Sequence, residues 1–121
     1  DCLLQEFAEL VQMEVRHIDL IGRYGGEEFI VILPETPAHQ AVDMAERLRK
    51  RIAEHRFRIS DDQRINNTVS IGVASLPEHG KTLDTLVRAA DSAMYVAKQT
   101  GRNRVCLVES IAIDTDQTMG E

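Results

Sequence analysis

The sequence predicts an α/β sandwich, with helices packed on a sheet, and three observations carry that prediction. Apolar residues recur at the helical period in three separate segments. Short β-branched runs lie between them, bounded by glycine and proline. The resulting order of main elements, α-β-β-α-β-α-β, alternates as layered α/β domains do.

Each element follows from its residues. Leu3, Leu4, Phe7, Ala8, Leu10, Val11 and Val15 form one face of a helix over 3–17, with Asp1 as a candidate N-cap. Ile18–Tyr24 reads as a strand, and Gly25-Gly26 as the tight turn of a hairpin. The return strand, Glu28–Leu33, hardly alternates, which predicts burial on both faces. Pro34 and Pro37 bracket a loop. A second helix spans Ala38–His55, followed by a short strand at Phe57–Ile59, outside the main order, and a turn at Ser60–Asp62. Thr68–Leu76 is a strand in which Gly72 marks a bulge or a close approach. Pro77–Gly80 is a loop. A third helix covers Thr82–Thr100, stopped by Gly101, before a last strand at Val105–Val108. Residues 109–121 lose periodicity and are expected to be a flexible tail.

Composition narrows the function. At 121 residues the chain suits one domain, and 43% hydrophobic with 28% charged residues is ordinary for a globular protein. The net charge of −6 argues against binding a nucleic-acid polymer, which needs a basic face, but leaves room for one nucleotide. Cys2 and Cys106 stand far apart and suggest neither a zinc site nor a disulfide. No apolar run is long enough for a membrane span, and no signal peptide is visible, so the expected setting is cytoplasmic with no membrane contact. His17, His39, His55 and His79 are scattered and read as surface or cap residues.

Two groups of residues could carry chemistry. Glu27 and Glu28 follow the Gly-Gly turn, where a carboxylate can ligate Mg²⁺ and the glycines let a phosphate approach the backbone. Two surface glutamates on a solvated turn would look the same. Lys98 and Arg102, four apart at a helix end, could hold a triphosphate or simply complement the helix dipole. Arg16 and Asp19, three apart, fit a local ion pair, and Arg47 fits an ordinary charged helix face.

Taken together, RHID, GRYGGEEF, TVSIGVAS and ADSAMYVAKQTGRN occur in an order and spacing that resemble the GGDEF domain of diguanylate cyclases. The resemblance implies a fold like that of nucleotidyl cyclases, with a central, partly antiparallel sheet flanked by helices. It implies a homodimer that condenses two GTP into cyclic di-GMP and two pyrophosphates, each 3′-hydroxyl attacking the other α-phosphate with Mg²⁺ or Mn²⁺. By position, Glu27 then corresponds to the metal-binding catalytic glutamate and Glu28 to the next functional carboxylate. Gly25 and Gly26 let the hairpin tip lie on GTP, Lys98 and Arg102 hold its terminal phosphates, and Asp1 accepts from the guanine edge. Arg16 and Asp19 correspond to the RxxD inhibitory site for cyclic di-GMP, completed by Arg47. Residues 1–108 would be the C-terminal portion of such a domain. Its first strand and helix, with a metal-binding aspartate, would start about 40 residues upstream, which suits a βαβ unit. The start on DCLLQEFA, without an initiator methionine, reads as a fragment. That absent strand is central, so its neighbours would be left with unpaired backbone groups. The other expectation is a binding or regulatory module without turnover.

Overall fold

The computed structural model describes residues 2–16, 19–24, 28–76 and 78–108. Among the described residues nine elements follow one another: α1 (Cys2–Glu14), β1 (Leu20–Tyr24), β2 (Glu28–Ile32), α2 (Ala38–Glu54), β3 (Phe57–Arg58), β4 (Arg64–Ile65), β5 (Ser70–Val73), α3 (Leu83–Gln99) and β6 (Arg104–Leu107). The expected tail at 109–121 lies outside the described residues.

The mixed α/β class holds, with its sheet present as separate pairs. β1 and β2 form an antiparallel hairpin with Leu20 opposite Ile32 and Tyr24 opposite Glu28. β5 and β6 run parallel, Ser70 beside Arg104 and Val73 beside Leu107, with α3 as the crossover between them. The β3–β4 hairpin, Phe57 opposite Ile65, is a third pair. Its second strand, two residues long, was not expected from the pattern.

Local chemistry sets the boundaries. α1 stops at Glu14, three residues before the expected end. Asp19 takes over the chain there: its carboxylate accepts the Arg16 N–H at 2.7 Å, and its own N–H donates to the Arg16 carbonyl at 3.0 Å. Side-chain to backbone bonds of this kind replace a helical turn. α2 begins on Pro37, whose carbonyl accepts from Gln40 and Ala41 at 3.1 Å each. α3 opens with a reciprocal cap, in which the Thr82 hydroxyl accepts the Thr85 N–H while the Thr85 hydroxyl accepts the Thr82 N–H.

Two apolar clusters hold the layers together. Leu10 and Val11 of α1 meet Leu48 and Ile52 of α2 and Phe57 of β3. Ala41 and Ala45 of α2 meet Val73 of β5. Gly72 is a close approach, as expected: a Cβ there would lie 2.0 Å from the Ala90 carbonyl oxygen and 2.3 Å from the Met94 nitrogen. A side chain at this position would push α3 off β5.

The expectation for Glu28–Leu33 needs correcting. All five residues of β2 are half-buried rather than buried on both faces. The cause is the separation of the sheets. Among the described residues β2 pairs only with β1, and β5 only with β6. A cleft of about 1070 Å³ lies between them.

Candidate functional site

The cleft is lined by the unbroken runs 28–36 and 67–76, roofed by α2 and α3. A strand presenting one face to a cavity contributes alternate residues. Consecutive residues from both strands mean that their hydrogen-bonding edges open onto the cleft.

Its rim gathers three of the charged residues singled out in the sequence: Glu28 at the start of β2, and Lys98 and Arg102 at the end of α3. Lys98 is in the last helical turn and half-buried. Arg102 is placed by a Schellman-type stop, its N–H donating to the Ala97 carbonyl at 2.9 Å after Gly101 at φ 130°. Arg102 and Asn103 also have positive φ, 61° and 47°. Left-handed backbone in an arginine is uncommon. It is held partly by Arg49, whose Nη1 donates to the Asn103 side-chain oxygen at 2.8 Å. Among the described residues neither Lys98 nor Arg102 is ion-paired. Two unneutralised cations on a cleft rim suit an anionic ligand.

Gly25, Gly26, Glu27 and Asp1 lie outside the described residues. Among the described residues no group of three or more His, Cys, Asp and Glu side chains is placed to hold a metal ion. The cleft lining does supply separate carboxylates, Glu28, Glu35 and Asp91. Mg²⁺ takes only one or two protein carboxylates, with water and substrate phosphates, so a single carboxylate such as Glu28 is compatible with it.

Arg16 and Asp19 do pair, and neither lines the cleft itself, although Arg16 bonds two residues that do. The Asp19 side chain is only 2% exposed, against 52% for Arg16. Arg16 Nη2 donates to Asp19 at 2.9 Å, to the Pro34 carbonyl at 3.1 Å and to the Thr36 hydroxyl at 2.7 Å. The hydrogen-bonded Asp19 carboxylate holds the Arg16 guanidinium above its ordinary pKa. Sequence reasoning missed Thr36 and Pro34, because a contact across about twenty residues leaves no periodic trace. Arg47 meets Glu14 rather than Arg16 or Asp19. His55, read as a surface or cap residue, is the C-cap of α2 and also bonds Glu6 at 2.9 Å.

These features define a mixed α/β domain with a cation-rimmed cleft suited to phosphate. The profile described as "Diguanylate cyclase, GGDEF domain" matches residues 1–104. The chain therefore belongs to the GGDEF domain family of diguanylate cyclases. It is 44% identical over 107 residues to Diguanylate cyclase A of Treponema denticola, covering 88% of this chain and 29% of that protein. It thus spans less than a third of this relative's length. The structure of the active GGEEF domain of a diguanylate cyclase from Vibrio cholerae matches with a TM-score of 0.73 at 36% identity, over 88% of this chain and 66% of that one. The GGDEF domain of DgcB from Caulobacter crescentus, in complex with c-di-GMP, matches with a TM-score of 0.79 at 29% identity, over 88% and 63%. No helix among the described residues is long and apolar enough to cross a membrane.

Proposed function

We propose that this chain contributes half of a diguanylate cyclase active site, in the cytoplasm, and that two copies face one another to join two GTP molecules. The observation that carries the reading is the convergence of Glu28, Lys98 and Arg102 on one cleft. The family membership supports it.

In this reading Lys98 and Arg102 bind the terminal phosphates of GTP, and Arg102 contributes the planar fork that matches phosphate oxygens. Gly25 and Gly26 let the hairpin tip lie against the phosphates. Asp1 accepts from the guanine N1–H and amino group, which adenine does not offer. Glu27, with Glu28 beside it, would hold Mg²⁺ or Mn²⁺, which supplies charge neutralisation at the α-phosphate. Each 3′-hydroxyl oxygen bonds to the α-phosphorus of the other GTP, its proton passes to water, and the α–β bridging bond breaks to release pyrophosphate. Arg16, Asp19 and Arg47 take cyclic di-GMP as an inhibitory ligand, as the complex of the DgcB domain suggests for a site somewhere on this fold.

The cleft also takes one more strand. The two bare edges of β2 and β5 would each pair with it, completing one sheet. The expected upstream strand, with its metal-binding aspartate, fits this role.

The test is to supply GTP and Mg²⁺ to the domain with that strand restored and to search for cyclic di-GMP by mass spectrometry. Product is expected. No product from folded protein would end the catalytic reading. A second reading, a cyclic di-GMP or GTP binding module without turnover, is favoured by one observation: the Arg16–Asp19 turn is complete within the chain while the cleft has open edges. Binding of cyclic di-GMP, lost in Arg16→Ala, without any turnover would establish it.

A further inference from the structure

Glu14, the last residue of α1, has a side chain only 8% exposed. Its two carboxylate oxygens part company: Oε1 takes the Nε–H of Arg47 at 3.3 Å, and Oε2 takes the Nε–H of Arg51 at 2.7 Å. Arg47 and Arg51 are four apart on α2, hence neighbours on one helix face. We propose that Arg51 is a second phosphate-binding arginine beside Arg47, and that Glu14 is the positioning residue that aims both. The inference rests on the reading of Arg16, Asp19 and Arg47 as a cyclic di-GMP site.

Three features of the geometry carry it. First, both contacts run through Nε, so the paired terminal nitrogens of each guanidinium, the fork that grips phosphate, have no partner among the described residues. The arginines remain 61% and 42% exposed. Second, one carboxylate faces two guanidiniums, and Lys50 lines the same shallow groove of about 690 Å³, with Leu10 and Met13 also in its lining. Glu54 and His55 also line it, and the cations Arg47, Lys50 and Arg51 outnumber the carboxylates Glu14 and Glu54. Third, Glu14 stands two residues before Arg16, so its own Cα lies within about 7 Å of that of Arg16. Without Glu14 the like charges of Arg47 and Arg51 would repel, and both side chains would regain rotamer freedom that a ligand must then remove.

A carboxylate that merely staples α1 to α2 would affect stability alone, and that difference is measurable. Cyclic di-GMP is titrated calorimetrically into the chain and its variants, with thermal unfolding recorded alongside. Arg51→Ala and Glu14→Gln are each expected to weaken binding by about tenfold, the worth of one charge-assisted hydrogen bond. Glu14→Gln should have no further effect in the Arg47→Ala/Arg51→Ala background. Should Glu14→Gln fail to fold, Arg51→Lys decides, since it keeps the charge and loses the fork. Unchanged affinity in Arg51→Ala or Arg51→Lys, with Arg16→Ala abolishing binding, overturns the inference and leaves the inhibitory-site reading standing. Unchanged affinity in Arg16→Ala, or no binding by the folded wild-type chain, overturns both.

Discussion

On the α1–α2 side, three arginines already sit on carboxylates: Arg16 on Asp19, and Arg47 and Arg51 on Glu14. At the β2–β5 cleft, Lys98 and Arg102 have no such partner among the described residues, and two strand edges are bare. The first region is held by its own ion pairs and therefore keeps its shape before any ligand arrives, with the terminal nitrogens of Arg47 and Arg51 left over. The second has donors, acceptors and charge left over. Unpaired backbone groups are costly once buried. The cleft is thus where an added backbone and charge partner is most needed, and the α1–α2 side is a frame that offers a ligand arginines already positioned.

The largest effect should come from the cleft side. In the domain with its sheet completed, Glu27→Gln is expected to reduce cyclic di-GMP production below detection while stability changes by no more than about 0.5 kcal/mol, as expected for the turn residue the sequence pattern makes it. Mass spectrometry and a thermal melt together check this. Loss of the cooperative transition would reassign Glu27 to a structural role and blur the contrast between the regions.

In the frame, Ile52 is 1% exposed and packs with Val11, Leu48 and Phe57. Ile52→Ala should cost about 2–5 kcal/mol in urea unfolding, through lost transfer energy and a cavity. Leu83→Ala, on the cleft lip and 55% exposed, should change stability by about 0.5 kcal/mol or less. Equal losses in the two variants would show that the cleft wall is part of the core after all.

The helices were legible in the sequence, because a buried stripe such as Ala41, Ala45, Leu48 and Ile52 repeats at the helical period. Their ends were legible to within a residue or two at α2 and α3, where Pro37, Thr82 and Gly101 act locally. The end of α1 was not, since Val15 continues the apolar pattern and only the Asp19 carboxylate interrupts it. The run EFIVIL misled for a different reason. Its apolar side chains fit burial on both faces, but burial depends on which neighbour fills the cleft. The convergence of Glu28 with Lys98 and Arg102 followed only from resemblance, for residues seventy apart leave no local signal. The contacts of Glu14 with Arg47 and Arg51 were invisible altogether.

A smaller effect belongs to the loop that joins the two regions. Thr36 accepts from Arg16 at 2.7 Å and donates to the Pro34 carbonyl at 2.9 Å, while Pro34, Glu35 and Thr36 line the cleft. Thr36→Ala should cost about 1 kcal/mol, the net worth of an ordinary hydrogen bond. The check is a shift of the urea midpoint at constant m-value. Thr68→Ala, also on the cleft but exposed and with no side-chain bond among those described, is the control and should leave the midpoint in place. A shift of equal size in both would mean that the Arg16 clamp contributes nothing of its own.

The smallest effect is a pH dependence of the frame. Glu6 Oε1 lies 2.9 Å from His55 Nε2, and Oε2 accepts the Arg58 N–H at 3.1 Å. The hydrogen bond from His55, aided by that from Arg58, holds the Glu6 carboxyl below its ordinary value of 4.5. A carboxyl whose pKa is lower folded than unfolded contributes stability that is fully present above the unfolded value. As pH falls the unfolded chain takes up the proton first, so the contribution fades from the ordinary value downward and is gone below the folded one. Urea unfolding between pH 6 and pH 3 should therefore show a decline that begins near the ordinary carboxylate range. In Glu6→Gln the decline should be shallower, with little change in its position. The pair is partly exposed, so screening should shrink this component as salt is raised, whereas the effect of Ile52→Ala should survive. An unchanged slope in Glu6→Gln would mean that the tie from α1 to the α2–β3 corner is apolar, made by Leu10, Val11 and Phe57 without help from the ion pair.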